Sequence, residues 1–164
     1  MQPGAEEIAP AEMRLALERI TARVEEEIKE RMPVGVTGAL RGSVAREIEG
    51  TGVDLTGIVG TPQPYGLVIE EGRRPGKRWP PEASIRLWVR RTAAGQQIVA
   101  SLQSEAGLLR DRAERSAVFL VRRKIGRKGF RGRHMFAEAA KATEGLVRDV
   151  WRETGERIAE RLNR

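Results

Sequence analysis

A chain of 164 residues and 18.2 kDa is long enough to bury a real core and short enough to predict one domain over 1–164. With 40% apolar and 32% charged residues it should fold with a salt-laced surface, and the absence of cysteine excludes disulfides, thiolate zinc sites and cysteine nucleophiles. The net charge of +7 is uneven: residues 1–72 carry 7 basic and 13 acidic side chains, residues 73–133 carry 17 and 4, and residues 134–164 carry 6 and 6.

In chain order, the opening MQPGAEEIAPAEM has no basic flank leading into an apolar run. No later stretch reaches the roughly 18–20 apolar residues of a span, so neither signal-directed export nor a membrane contact is expected. Over residues 10–32, Met13, Leu17, Ile20, Val24 and Ile28 recur at threes and fours, one face of an amphipathic helix. Pro10 suits a first helical position, Pro33 and Gly35 stop the run, and Glu25, Glu26 and Glu27 read as a solvated acidic face. From Ser43 the period changes to two, with Val44, Arg46 and Ile48 on one face and Ala45, Glu47 and Glu49 on the other. Gly50, Thr51 and Gly52 should turn this strand into a second over residues 53–60, an antiparallel hairpin.

Residues 65–70 fit a short strand or one helical turn equally. GRRPGKRWPP, residues 72–81, predicts an exposed, extended basic loop. A helix over 82–92 follows, with Ile85, Leu87, Trp88 and Val89 as its apolar side and Ala93-Ala94-Gly95 as its end. Further helices are expected over 108–125 and 135–162, separated by the basic loop GRKGFRGR at 126–133. The class is α+β: an N-terminal amphipathic helix, a small antiparallel sheet, and C-terminal helices packed on the sheet.

No residue set predicts catalysis, a cofactor or a metal site. His134, the one histidine, has no second imidazole or thiol beside it in sequence and reads as a surface residue. Ser43, Ser84 and Ser116 lack a nucleophile-elbow context, the carboxylates lie in solvated or turn segments, and Gly50, Gly52, Gly57 and Gly60 are hairpin glycines without a GK[ST] sequence. Trp88 and Trp151 suit helix anchors in the core. Trp79, between Arg78 and Pro80, suits an interface anchor or a loop-packing role. Phe130 among four cations fits a stacking platform for single-stranded nucleic acid, a solvated loop, or an arm that docks on an acidic protein, the last being favoured.

Four segments resemble one family. PVGVTGALRGSV at 33–44 resembles the TG-x-LR-x-S opening of tail-completion, or neck, proteins of long-tailed bacteriophages. YGLVIEEGR at 65–73 is similar to their YA-x-x-x-E-x-GTR segment, and residues 81–90 to the helix P-x-x-x-I-x-x-WV-x-R that follows. Residues 119–125, Gly129 and His134-Met135-Phe136 resemble the closing pattern before a terminal helix. Gly66 stands where alanine is usual, Arg73-Arg74 replaces the threonine of GTR, and residues 96–105 read as a variable insert.

The resemblance implies a non-catalytic virion protein, assembled in the host cytoplasm. It would form a homo-oligomeric ring, a hexamer, at the head-proximal end of a tail. Its neighbours would be a tail-tube or tail-terminator protein and a head-completion or connector protein, with DNA contact in the lumen. Expected interface residues are Trp79, Arg73, Arg74 and Arg78 on one basic loop, Phe130 on the other, and two clusters of opposite sign, Glu25, Glu26 and Glu27 against Arg122, Arg123 and Lys124. The reading from a different class is a DNA- or RNA-binding protein using residues 73–133.

Overall fold

The computed structural model describes residues 5–163. It is α+β: α1 (Ala5–Arg31), α2 (Ala39–Gly42), β1 (Ala45–Thr51), β2 (Asp54–Gly60), α3 (Tyr65–Glu71), β3 (Gly72–Arg73), α4 (Glu82–Arg91), α5 (Ala93–Ala106), α6 (Arg110–Lys128), β4 (Phe130–Arg131) and α7 (Met135–Leu162). The chain divides into two compact units. One comprises Met1–Pro33, Leu40–Gln63 and His134–Arg164, the other Val34–Ala39 and Pro64–Arg133. No described helix is long and apolar enough to cross a membrane.

In the first unit α1 packs on the β1–β2 hairpin and on α7. Ala16, Ile20 and Val150 are buried at the α1–α7 contact, with Val24, Leu146, Val147 and Trp151 around them. Serving two partners widens the buried band of α1 beyond the expected stripe, so it also takes in Thr21 and the carboxylates Glu12 and Glu27. The buried hydroxyls of Thr21, Thr143 and Thr154 each donate to the carbonyl four residues back, which satisfies them without breaking the helix. Glu12, 3% exposed, accepts from Arg157 at 2.9 Å and lies 3.1 Å from Arg161, so its charge is met across the helix pair. The main cover of the sheet is thus the N-terminal helix, and α7 packs against that helix.

Two boundaries differ from the sequence pattern. The first helix begins at Ala5, not Pro10: residues 5–9 are mostly good helix formers, and Pro10 lies inside the helix, where it forgoes one backbone hydrogen bond. The hairpin turns one residue later than expected. β1 runs through Thr51, which pairs with Asp54, leaving Gly52-Val53 as a two-residue loop. Gly52 has φ +59 and Val53 a negative φ, the pattern of a type II′ turn, which needs glycine first.

The second unit has its core among α4, α5 and α6: Val89, Val99, Ala113, Ala117 and Val118, packed by Ile85, Trp88, Ile98, Leu102 and Leu108. Leu87, expected on the apolar side, is exposed. Ala93-Ala94-Gly95 does not close the region but opens α5, and the expected insert at 96–105 lies inside this helix. The hinge is Thr92, whose amide bonds the Trp88 carbonyl at 3.1 Å while its hydroxyl accepts from the Gly95 amide at 3.1 Å. One residue therefore caps both helices. Residues 65–71, ambiguous in sequence, form α3.

Candidate functional site

The two basic loops, separate in sequence, meet in the second unit. Part of the segment expected as an extended loop forms β3, which pairs antiparallel with β4, Gly72 opposite Arg131 and Arg73 opposite Phe130. The Arg133 amide bonds the Ile69 carbonyl at 2.9 Å, and the Gly76 amide bonds the Gly126 carbonyl at 2.9 Å. The crossing depends on Gly129. Its φ of +63 is a left-handed conformation, and a Cβ there would lie 1.9 Å from the Arg73 carbonyl oxygen.

This pairing shapes an open cleft of about 950 Å³. Arg73, Arg74, Lys77 and Arg78 line one side and Lys128 and Arg131 the other, with Phe130 and a single carboxylate, Glu71. No ion pair among the described residues involves any of these six cations. Elsewhere in the unit three cations are paired, Arg90 with Glu114 at 2.7 Å, Arg122 with Glu82 at 3.0 Å, and Arg86 with Glu82. The charge asymmetry read along the chain follows the structural division. The second unit carries 17 basic and 6 acidic side chains, the first 13 and 17.

Trp79 is tied to α6. Its ring lies 5.7 Å from that of Phe119, the Arg122 guanidinium sits 5.8 Å from its centroid, and a Cβ on Gly126 would come within 2.6 Å of it. Arg122 Nε also donates to the Pro80 carbonyl at 3.0 Å, clamping the loop. Arg123 and Lys124 are exposed, and no described ion pair involves them. Phe130 is exposed at 37%.

In the first unit the acidic cluster is only in part a solvated face, since Glu26 is exposed but Glu25 is half-buried and Glu27 is buried. Glu27 is buried and ion-paired with Arg23 and Arg31, Glu26 pairs with Arg23, and Glu25 with Lys29 and, at 3.1 Å, Arg46 on β1. The wide buried band of α1 is the reason. The Lys29 ammonium, by its hydrogen bond, holds the Glu25 carboxyl below its ordinary value; partial burial opposes this and Arg46 adds to it. A depressed carboxylate stabilises the fold above the ordinary carboxylate range, and that contribution is lost as pH falls through the lowered value. Lys29→Met is therefore expected to raise the Glu25 pKa in a carboxyl NMR titration and to remove this part of the acid limb of unfolding, below about pH 5.

Among the described residues no group of three or more His, Asp or Glu side chains is placed to hold a metal ion. His134 is exposed at the start of α7, with φ +51. The sequence singled out Arg73, Arg74, Arg78 and Phe130 but not Lys77, Lys128 or Arg131 as site residues. The signal for the join was the glycine pattern at 72, 129 and 132, each a point where the two segments approach too closely for a side chain.

Residues 5–72 match the model of the HK97-gp10-like family, described as "Bacteriophage HK97-gp10, putative tail-component". The match covers α1, α2, the hairpin and α3 and ends at the first residue of β3, less than half of the chain. No curated protein and no solved structure matches the chain. The match supports a structural phage tail component.

Proposed function

We propose that this chain is a structural protein of a phage virion, or of a phage-derived particle, that forms a ring at the head-proximal end of the tail. One face of the ring meets a tail-tube or tail-terminator protein and the other a head-completion protein, with six copies as the resemblance implies. The observation that carries this reading is the tail-component match over residues 5–72, which includes the hairpin and the helix that covers it. Two features of the fold support assembly. The hairpin is a two-stranded sheet, so each strand keeps one edge unpaired among the described residues, a ready site for strand addition by a second copy. The two units also carry opposite net charge, which orients head-to-tail contacts between copies more than it strengthens them.

The expected contact residues of such a ring are those whose charge or apolar surface is not already used: Arg123 and Lys124 on α6, and Val53 and Ile58 on the hairpin, exposed at 62% and 43%. Glu25, Glu26, Glu27 and Arg122 would contribute through the pairs they already make.

Electron microscopy of particles carrying a tagged copy tests the placement. Density for the tag is expected at the junction of head and tail, and particles lacking the protein should accumulate as unjoined heads and tails. A tag found along the tube or at the distal tip would overturn the proposal.

A further inference from the structure

We propose that the cleft between residues 72–78 and 128–131 binds the phosphate backbone of duplex DNA without reading its sequence. Six cations converge there around one carboxylate, and none is neutralised by an ion pair among the described residues. The acids Glu82 and Glu114 of the same unit are held by Arg86, Arg122 and Arg90. The Nε of Arg73 is buried in the structure without a hydrogen-bond partner, a donor on the cleft wall whose bond is unmade. The β3–β4 ladder and the Gly76–Gly126 bond hold both walls to each other, so the spacing of the charges is set before a ligand arrives.

The choice of duplex follows from what the cleft lacks. Sites for single strands use successive aromatic platforms, and here Phe130 is the one aromatic side chain. A duplex backbone needs spaced positive charge and no stacking. An acidic protein surface is the competing partner. Another copy of this chain could supply one, since Glu30, Glu47 and Glu49 are exposed and no described ion pair involves them, so polyglutamate is the control that separates a polyanionic protein from a phosphate backbone. The proposal rests on the placement of charge and not on ring formation, so it stands or falls separately.

The test is fluorescence anisotropy of the full chain with a labelled duplex of random sequence across a salt series. Neutralising about five phosphates gives a log–log salt slope of about −4 to −5. Arg74→Glu/Lys77→Glu/Arg78→Glu is expected to weaken binding at least about tenfold and to flatten the slope by about 3. Arg91→Glu/Arg112→Glu/Arg115→Glu removes the same charge from exposed positions off the cleft and should weaken binding less than about threefold. Circular dichroism confirms folding. If the triple variant fails to fold, the single changes Arg74→Gln, Lys77→Gln and Arg78→Gln should each flatten the slope by about 1. Equal losses in the two triple variants, or no duplex binding at low salt, would overturn the proposal. So would tighter, salt-insensitive binding of a single strand that depends mainly on Phe130, or equal binding of polyglutamate.

Discussion

Trp79→Ala should lower the thermal unfolding midpoint by roughly 4–8 °C, the shift that about 2 kcal/mol produces in a chain of this size. Full truncation of a buried tryptophan costs about 3–5 kcal/mol, and the 38% exposure of Trp79 reduces that. What is lost is specific: the edge of Phe119, the cation–π contact with Arg122, and the close packing against Gly126. Trp79→Phe keeps an aromatic face and should recover part of the loss, while Arg122→Lys keeps charge but loses the planar stack and one arm of the Pro80–Glu82 clamp. Scanning calorimetry reads the shift. An unchanged midpoint together with poor particle assembly would mean that Trp79 serves a neighbouring subunit alone.

That result also separates the two roles between which the sequence left Trp79 undecided. Composition marked residues 72–81 as an exposed, extended basic loop, and that reasoning considers the loop by itself. It missed that the loop orders against α6 and the segment after it, because pairing across some sixty residues leaves no periodic trace. Long, strongly periodic elements were legible. The α7 boundaries agree with the expected 135–162, and the inward face of the hairpin is the one read from Val44, Arg46 and Ile48, with Arg46 reaching Glu25 on α1. α5 was missed because Ala93-Ala94-Gly95 was read as a stop. Thr92 as a shared cap, with Ile98, Val99 and Leu102 at helical spacing behind it, carried the opposite signal.

Charge was legible in its amount and not in its availability. The run of Glu25, Glu26 and Glu27 is acidic in sequence, yet each carboxylate lies beside a cation three or four residues away on the same helix, and Glu27 is buried between two arginines. In residues 73–133 acidic side chains are too few for the same pairing, so the cations of the β3–β4 cleft stay free. An excess of one sign within a folded unit, more than a run of like charges, is what leaves charge for a partner.

Val59→Pro should prevent the proposed ring from forming while leaving the protomer folded. With Thr51 and Asp54 closing the two-residue turn as a hydrogen-bonded pair, bonded and non-bonded pairs alternate along the ladder. Glu49–Thr56 and Glu47–Ile58 then exchange hydrogen bonds, whereas Ile48–Gly57 and Arg46–Val59 turn their N–H and C=O groups outward. The Val59 amide therefore does nothing for its own hairpin, and proline is tolerated at an edge position of this kind. For a strand added from a second copy it removes a donor and places a ring where the chain must approach. A hydrogen bond contributes about 0.5–1.5 kcal/mol net, so with the steric block the association constant of each contact should fall at least about tenfold. Ile58→Pro is the positional contrast: its amide faces Glu47, so the same change one residue earlier should unravel the hairpin itself. Size-exclusion chromatography with light scattering, alongside circular dichroism, reads both outcomes. A ring that survives Val59→Pro intact would place the contact between copies away from this edge.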